Sequence, residues 1–463
     1  MKSESDARQS IYLIAVCGTG MASLAGLLKK AGHRVTGSDT SIYPPMSTLL
    51  ENLGIEIRPG YKKENITGDI DLAVIGNAVS KDNEEVVAVQ QAGIPYISFP
   101  QALARFFLEG RTSLVVTGTH GKTTTTSLLA WVFEAAGRKP GFMVGGWLKN
   151  FDSNHQAPGG GVFITEGDEY DTAFFDKGPK FLHYRPHGAI LTGIEFDHLD
   201  HIKDAFRAFV EIVDPAGFLL VECSDANAED VLTGARCTVE TYGFSKNADW
   251  YVESHKFHKG VSEFDLRHRG AYLGRFNVPM MGRHNVLNCA AVVAAAHKCG
   301  LSIEEIASAL PFFKGVKRRQ EVVGEEHGVV VIDDFAHHPT AIDLTLSAVK
   351  AAWPDHTLWA VFEPRSATSK RNVFQERFPD AFMQADRTII AGLSHPEKVP
   401  PEDRLNPQAI ADALCARGKQ AWHIGDTGDI VNHIVQNHGS RDVILVMSSG
   451  GFDGIHQKLL DRL

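Results

Sequence analysis

The segment LVVTGTHGKTT, residues 114–124, constrains this 463-residue chain more than any other. An apolar, β-branched run leads straight into a glycine turn, and the turn into a threonine-rich helix start. That order gathers backbone N–H groups and the positive end of a helix dipole around one point, a cradle for phosphate. Lys122 would reach the β/γ-phosphates of a nucleotide and the Thr123 hydroxyl would ligate Mg²⁺. Gly118, Thr119, His120, Gly121 and Thr124 complete the loop. It is shorter than the common P-loop, because Val116 and Thr117 stand where that pattern begins. A plain strand–helix turn is the alternative, and the Lys-Thr pair argues against it.

The rest of the chain repeats the same grammar. Short β-branched runs alternate with amphipathic stretches, which predicts parallel sheets with crossover helices. In a first block, strands are expected at 11–17, 34–37, 72–76 and 95–97, with helices at 21–31 and 83–92. A second block has strands at 113–117, 162–165, 189–192 and 218–221, an antiparallel excursion within 250–281 and a helix at 284–299. A third has strands at 329–332, 357–361, 387–391 and 443–447. The expected architecture is three α/β domains at 1–108, 109–316 and 317–463.

Charge and cysteine usage narrow the class. Lysine plus arginine is 46 against 56 for aspartate plus glutamate, a net charge of −10. That balance excludes a nucleic-acid binder relying on a basic face, but not a local site for an anionic nucleotide. The six cysteines stand singly, none with the two-residue spacing of zinc or redox motifs, so reduced thiols in a cytoplasmic protein are expected. Acidic residues near the start spoil a signal peptide, and no 18 apolar residues run together, so no membrane partner is expected.

Further motifs carry chemistry of their own. Gly18-Thr19-Gly20-Met21-Ala22-Ser23 follows the first strand, with Asp39 ending the second. This is close to a dinucleotide fingerprint, with Ser23 in place of the third glycine and Asp39 placed for a ribose hydroxyl. NAD, another nucleoside diphosphate and an empty turn all remain open on those residues. Glu166-Gly167-Asp168-Glu169-Tyr170-Asp171 puts carboxylates at a strand end beside the cradle, suited to a nucleotide's Mg²⁺ or to simple solvation. Glu195-Phe196-Asp197-His198-Leu199-Asp200-His201 offers a zinc-like set, though a hard cation beside a nucleotide fits better. Asn285 and Asn288 share a helix face that could read an adenine edge or merely cap a helix. Arg318-Arg319, Asp333-Asp334 with His337-His338, and Glu363-Pro364-Arg365 are charged groups after strands or at a junction; an arginine there could offset charge on a phosphoryl group.

Taken in this order, the motifs resemble the Mur ligase family of ATP-dependent amide ligases over essentially the whole chain. The resemblance implies an N-terminal Rossmann-like UDP-binding domain, a central P-loop ATPase-like domain and a C-terminal Rossmann-like domain. It implies a cytoplasmic enzyme of the bacterial cell wall that uses ATP and Mg²⁺, with UDP-N-acetylmuramate and a murein tripeptide as small-molecule substrates and no obligatory protein partner. The segments 169–184 and 447–458 look like the branch that adds L-alanyl-γ-D-glutamyl-meso-diaminopimelate; the alternative adds free L-alanine. By the same resemblance, Lys122, Glu166, His198 and Arg319 are the catalytic candidates, with Thr123, Glu166 and His198 on magnesium. Asn285, Asn288 and Asp334 would join the loop on ATP. Gly18, Thr19, Gly20, Met21, Asp39 and Asn77 would hold the UDP-sugar, and His338, Arg365, Ser449 and Gly450 the acceptor. Some family members carry a carbamylated lysine about fifteen residues beyond His198; Val213 occupies that spacing here, so none is expected, with Glu211 the nearby carboxylate.

Two other classes compete. A dehydrogenase built on the first glycine turn would have no need of Lys122-Thr123. A regulatory ATP-binding module would not need two acidic segments.

Overall fold

The strand Ser10–Ile14 alternates its side chains between two helix layers, Ile11 and Leu13 into one core, Tyr12 and Ile14 into another. A strand buried on both faces is the mark of a parallel sheet with helices on each side. In the computed structural model, which describes residues 8–195 and 200–463, this strand is central in a five-stranded sheet. Its order is Glu56–Pro59, Arg34–Asp39, Ser10–Ile14, Leu72–Ile75, Tyr96–Ser98, every pair parallel. The reading of 11–17 as one strand is corrected at its end. Ala15 takes a left-handed φ of 69°, and the N–H groups of Ala15 and Val16 both donate to Ser38 O, turning the chain into the glycine loop.

The chain packs as two compact units. The first runs to Ser254 and takes in Asp265–Phe276 and Leu287–Phe313; the second holds His255–Phe264, Asn277–Val286 and Lys314–Leu463. Besides the five-stranded sheet, the first unit is built on a larger one in which Thr112–Thr117 lies between Gly188–Leu191 and Val162–Glu166, all parallel. Phe218–Glu222 and Thr238–Gly243 extend it on one side, Gly141–Leu148 and Ser153–Gln156 on the other. The excursion expected within 250–281 is a meander of Trp250–His258, Val261–His268 and Ala271–Val278, whose two-residue turns require antiparallel neighbours.

The second unit's sheet has six strands, ordered Glu321–Glu326, Val329–Asp334, Asp442–Met447, Thr357–Phe362, Arg387–Ala391, Gln420–Ile424. The first pair is antiparallel and the rest parallel. Pro339–Ala352 and Pro407–Ala416 cover one face, Thr427–Asn437 and Ile455–Leu460 the other. Glu321–Glu326 was not read from the sequence because it is a half-exposed edge strand without a clean apolar alternation. Val213 lies in the core at 1% exposure, and Glu211 is exposed against Gly234. Among the described residues no helix is long and apolar enough to cross a membrane.

Candidate active site

The glycine loop read as a candidate phosphate cradle forms where three adjacent parallel strands end. Thr112–Thr117 runs into the loop, and Lys122 opens the helix Lys122–Ala135. Gly118 and Gly121 adopt φ of 130° and 81°, which disfavour a side chain. A methyl group at Gly118 would also lie 2.5 Å from Thr192 Oγ1, and one at Gly121 2.9 Å from Asn288 Oδ1. The neighbouring strand end walls the loop: Thr119 N donates to Gly193 O at 2.8 Å, Glu195 N donates to Thr119 Oγ1 at 2.9 Å, and the Thr192 hydroxyl donates to His120 O. His120 Nε2 stands 3.3 Å from Glu195 Oε1.

The third strand end supplies the acids. Val116 pairs in register with Glu166, so that carboxylate emerges beside the helix start. Glu166 Oε2 accepts from Thr123 Oγ1 at 3.1 Å and Oε1 from Gly145 N at 2.7 Å. A hydroxyl and a carboxylate facing each other are hard oxygen donors of the kind Mg²⁺ takes, so this pair fits the ion. Lys122 Nζ donates to Gly118 O and lies 3.2 Å from Glu169 Oε2. Lys180 Nζ lies 2.5 Å from Asp168 Oδ2. Tyr184 is buried against this cluster; burial, then the charges of Asp168 and Glu166, push its phenol well up and keep it neutral. His198 lies outside the described residues.

The first glycine turn is built as expected, with Gly18 capping the helix Thr19–Lys30 and Thr19, Gly20 and Met21 opening it. Asp39 is engaged with the backbone of its own turn. It is 6% exposed, and its two oxygens accept from Cys17 N and Ser41 N at 2.9 and 2.8 Å. Burial and that carboxylate push the Cys17 thiol up to about 11, so it stays protonated. The Asn77 amide donates to Asp171 O at 2.8 Å, tying the first sheet to the hairpin that follows the acidic cluster. Tyr96 meets Phe175 edge-on, and Ser98 Oγ donates to Asp176 Oδ2 at 3.1 Å along the same seam.

The second unit holds the remaining candidates. Asp334 is buried, and its oxygens accept from Gln320 N and Ala336 N at 2.7 Å each. Burial raises its carboxyl, opposed chiefly by the charge of Arg319. Arg319 lies over the Phe335 ring at 4.8 Å. Asn285 donates to Met281 O and to Gln320 Oε1 at 2.8 and 3.0 Å. His338 caps Pro339–Ala352 and meets Phe374 edge-on. Arg365 Nη1 is 3.4 Å from Glu363 Oε1, and Glu363 Oε2 accepts from Ser448 Oγ at 2.5 Å. Ser449 and Gly450 follow in the turn after Asp442–Met447. The sequence reading did not pick out the Glu169–Lys122 pairing, the Thr192–Gly193 wall or the parts of Arg318, Glu363 and Ser448. Glu169, Arg318 and Glu363 stand in charged motifs that the sequence does show, and Thr192 ends an expected strand beside the glycine loop; what the sequence does not show is which partner each one meets.

Residues 10–111 match the Mur ligase family catalytic domain, 116–296 the Mur ligase middle domain and 318–450 the Mur ligase glutamate ligase domain. The UDP-N-acetylmuramate–L-alanyl-gamma-D-glutamyl-meso-2,6-diaminoheptandioate ligase of Escherichia coli K12 is 39% identical over 98% of both chains. The UDP-N-acetylmuramate–L-alanine ligase of Carboxydothermus hydrogenoformans is 32% identical over 98% of this chain and 96% of its own. Among solved structures, a murein peptide ligase from Psychrobacter arcticus has a TM-score of 0.72 at 35% identity, over 98% of each chain.

Proposed function

This chain belongs to the Mur ligase family, and from that premise we propose that it joins the lactyl carboxylate of UDP-N-acetylmuramate to the amino group of L-alanyl-γ-D-glutamyl-meso-diaminopimelate. It is an ADP-forming amide ligase with the family's α/β domains, and it uses ATP. The observation that carries the tripeptide as acceptor is whole-length identity of 39% and 38% with two ligases named for it, against 31–33% with ligases named for L-alanine.

A carboxylate is a poor electrophile. The sugar carboxylate attacks the γ-phosphorus of ATP, ADP leaves and an acyl phosphate forms. The peptide amine then attacks that carbonyl, and the tetrahedral intermediate expels phosphate. Lys122 exchanges Glu169 for phosphate oxygens, and Arg319 offsets charge on the same phosphoryl group. Gly118 to Thr124 cradle the phosphates, while Asn285, Asn288 and Asp334 are assigned to the nucleoside. Thr123 and Glu166 would hold Mg²⁺, with His198 on a second ion; bound there, Mg²⁺ neutralises phosphate charge. Gly18 to Met21 receive the diphosphate of the UDP-sugar. Asp39 and Asn77 are assigned to the UDP-sugar with them; Asp39 also accepts from the backbone of that turn, and Asn77 donates to Asp171 O in the acidic segment. His338, Arg365, Ser449 and Gly450 meet the acceptor, and the functional domains are 1–108, 109–316 and 317–463.

The test is phosphate release with ATP and UDP-N-acetylmuramate, comparing acceptors. The distal carboxylates and ammonium of the tripeptide add transition-state binding, so its kcat/KM should exceed that of L-alanine by at least about 10²-fold. Equal or better use of L-alanine would move the protein to the alanine-adding branch.

A further inference from the structure

In the second unit, Val329–Asp334, Asp442–Met447 and Thr357–Phe362 end side by side, and the turn 448–451 rises from the middle strand. Ser448 is 1% exposed; its hydroxyl donates to Glu363 Oε2 at 2.5 Å and accepts from Gly450 N at 2.9 Å. The carbonyls of the turn face the other way. Arg318 Nη2 donates to Ser448 O at 2.6 Å and to Gly450 O at 2.5 Å.

Arg318 is itself tightly set. Its backbone takes a left-handed φ of 62°, and its N–H donates to Glu321 Oε2 at 2.8 Å. Its guanidinium lies over the Phe335 ring at 5.3 Å, with Nε 3.5 Å from Asp333 Oδ2. Asp333 Oδ1 also lies 3.3 Å from His456 Nε2 on the last helix. On its far side the turn carries Arg365, packed so closely that a methyl group at Gly450 would lie 2.0 Å from its Nε. Among the described residues the only polar side-chain partner of Arg365 is Glu363, at 3.4 Å, a long contact that leaves its other donors for a ligand.

We propose that Arg318 is a positioning residue for the acceptor: it fixes the 448–450 turn and, through Gly450, the place where Arg365 meets an acceptor carboxylate. The inference rests on the acceptor reading above. A planar fork can bridge two carbonyls while staying close to an acid; a lysine ammonium supplies the charge without the fork. Both R318K and R318A should therefore raise the KM for the acceptor by about 10-fold or more, with kcat at saturating acceptor and the KM for ATP and UDP-N-acetylmuramate within about threefold of wild type. Millimolar guanidinium ion should lower the acceptor KM of R318A. If R318A does not fold, R318K carries the same measurement with the charge retained. An unchanged acceptor KM in R318K, or an equal rise in the KM for ATP, would overturn the proposal. The wild-type acceptor comparison separates this from the tripeptide reading. Should the enzyme use L-alanine instead, the same KM shift is expected for L-alanine, since one carboxylate suffices to engage Arg365.

Discussion

At the scale of single residues, the cradle depends on where one ammonium can reach. Lys122 opens its helix and lies 3.2 Å from Glu169, so it faces the point where phosphate charge would accumulate. One charged donor beside a transferring phosphoryl group contributes on the order of 10²-fold or more in rate. K122A should therefore lose ligation by at least that factor while keeping its circular dichroism spectrum. Near-normal phosphate release by a folded K122A would contradict the role. His155 makes a different prediction. Its ring is 2% exposed, Nδ1 lies 3.0 Å from Asn154 Oδ1, and Nε2 has no hydrogen-bond partner among the described residues. Burial, then the charge of Lys30, lowers it from 6.5 to about 4. The folded protein thus holds the neutral ring while the unfolded chain takes up a proton below 6.5. Stability should fall as pH drops from 6.5 to about 4 and level off below, by about 3 kcal/mol for this one group. Urea unfolding of H155Q should show a shallower acid slope in that window; identical slopes would remove His155 from the account.

At the scale of elements, the first unit is held together by a helix meeting a strand edge. Thr19–Lys30 packs on Ser153–Gln156 through a buried polar chain in which Asn154 Nδ2 donates to Ser23 Oγ at 2.8 Å and Ser23 Oγ donates to Thr19 O at 2.7 Å. Three residues further along, Gly26 lets His155 close on the helix: a methyl group there would lie 2.4 Å from Nε2. Because Asn154 holds the ring, it cannot retreat without losing a buried hydrogen bond. G26A should cost about 1–3 kcal/mol by overpacking, read as a lower urea midpoint at unchanged m-value. A wild-type midpoint would mean that the two elements separate more easily than this packing implies. Ser23, read as a stand-in for the third glycine of a dinucleotide fingerprint, is in place a link from the glycine turn to the central sheet. Sequence shows that helix and its turn; it does not show which strand edge the helix meets.

For the whole molecule, two compact units mean that unfolding need not be one step, and a bound ligand should act first on the unit it touches. A ligand present at 100 times its Kd stabilises the form it binds by about 2.7 kcal/mol. A non-hydrolysable ATP analogue with Mg²⁺ should therefore raise the melting transition of the wild-type chain by a few degrees and leave that of K122A in place. Equal shifts in both proteins would detach nucleotide binding from the cradle.

What was legible in the sequence is what the chain does to itself over short distances. A strand, a glycine turn and a helix start follow one another in consecutive residues, so the loop at Gly118–Thr124 could be read without knowing its neighbours. The short apolar run at 11–17, set among amphipathic stretches, likewise pointed to a strand of a parallel sheet. What only the tertiary structure decided is which distant group each polar side chain serves. Glu169 finds Lys122 across 47 residues, Asn154 finds Ser23 across 131, and Arg318 finds the carbonyls of Ser448 and Gly450 across 130 and 132. Asp39 and Asp334, both candidates for a nucleotide ligand, each accept from two backbone N–H groups brought beside them by folding. Residue type sets what a side chain can bond, but buried backbone groups must also be satisfied, and the fold determines which of them reaches it first.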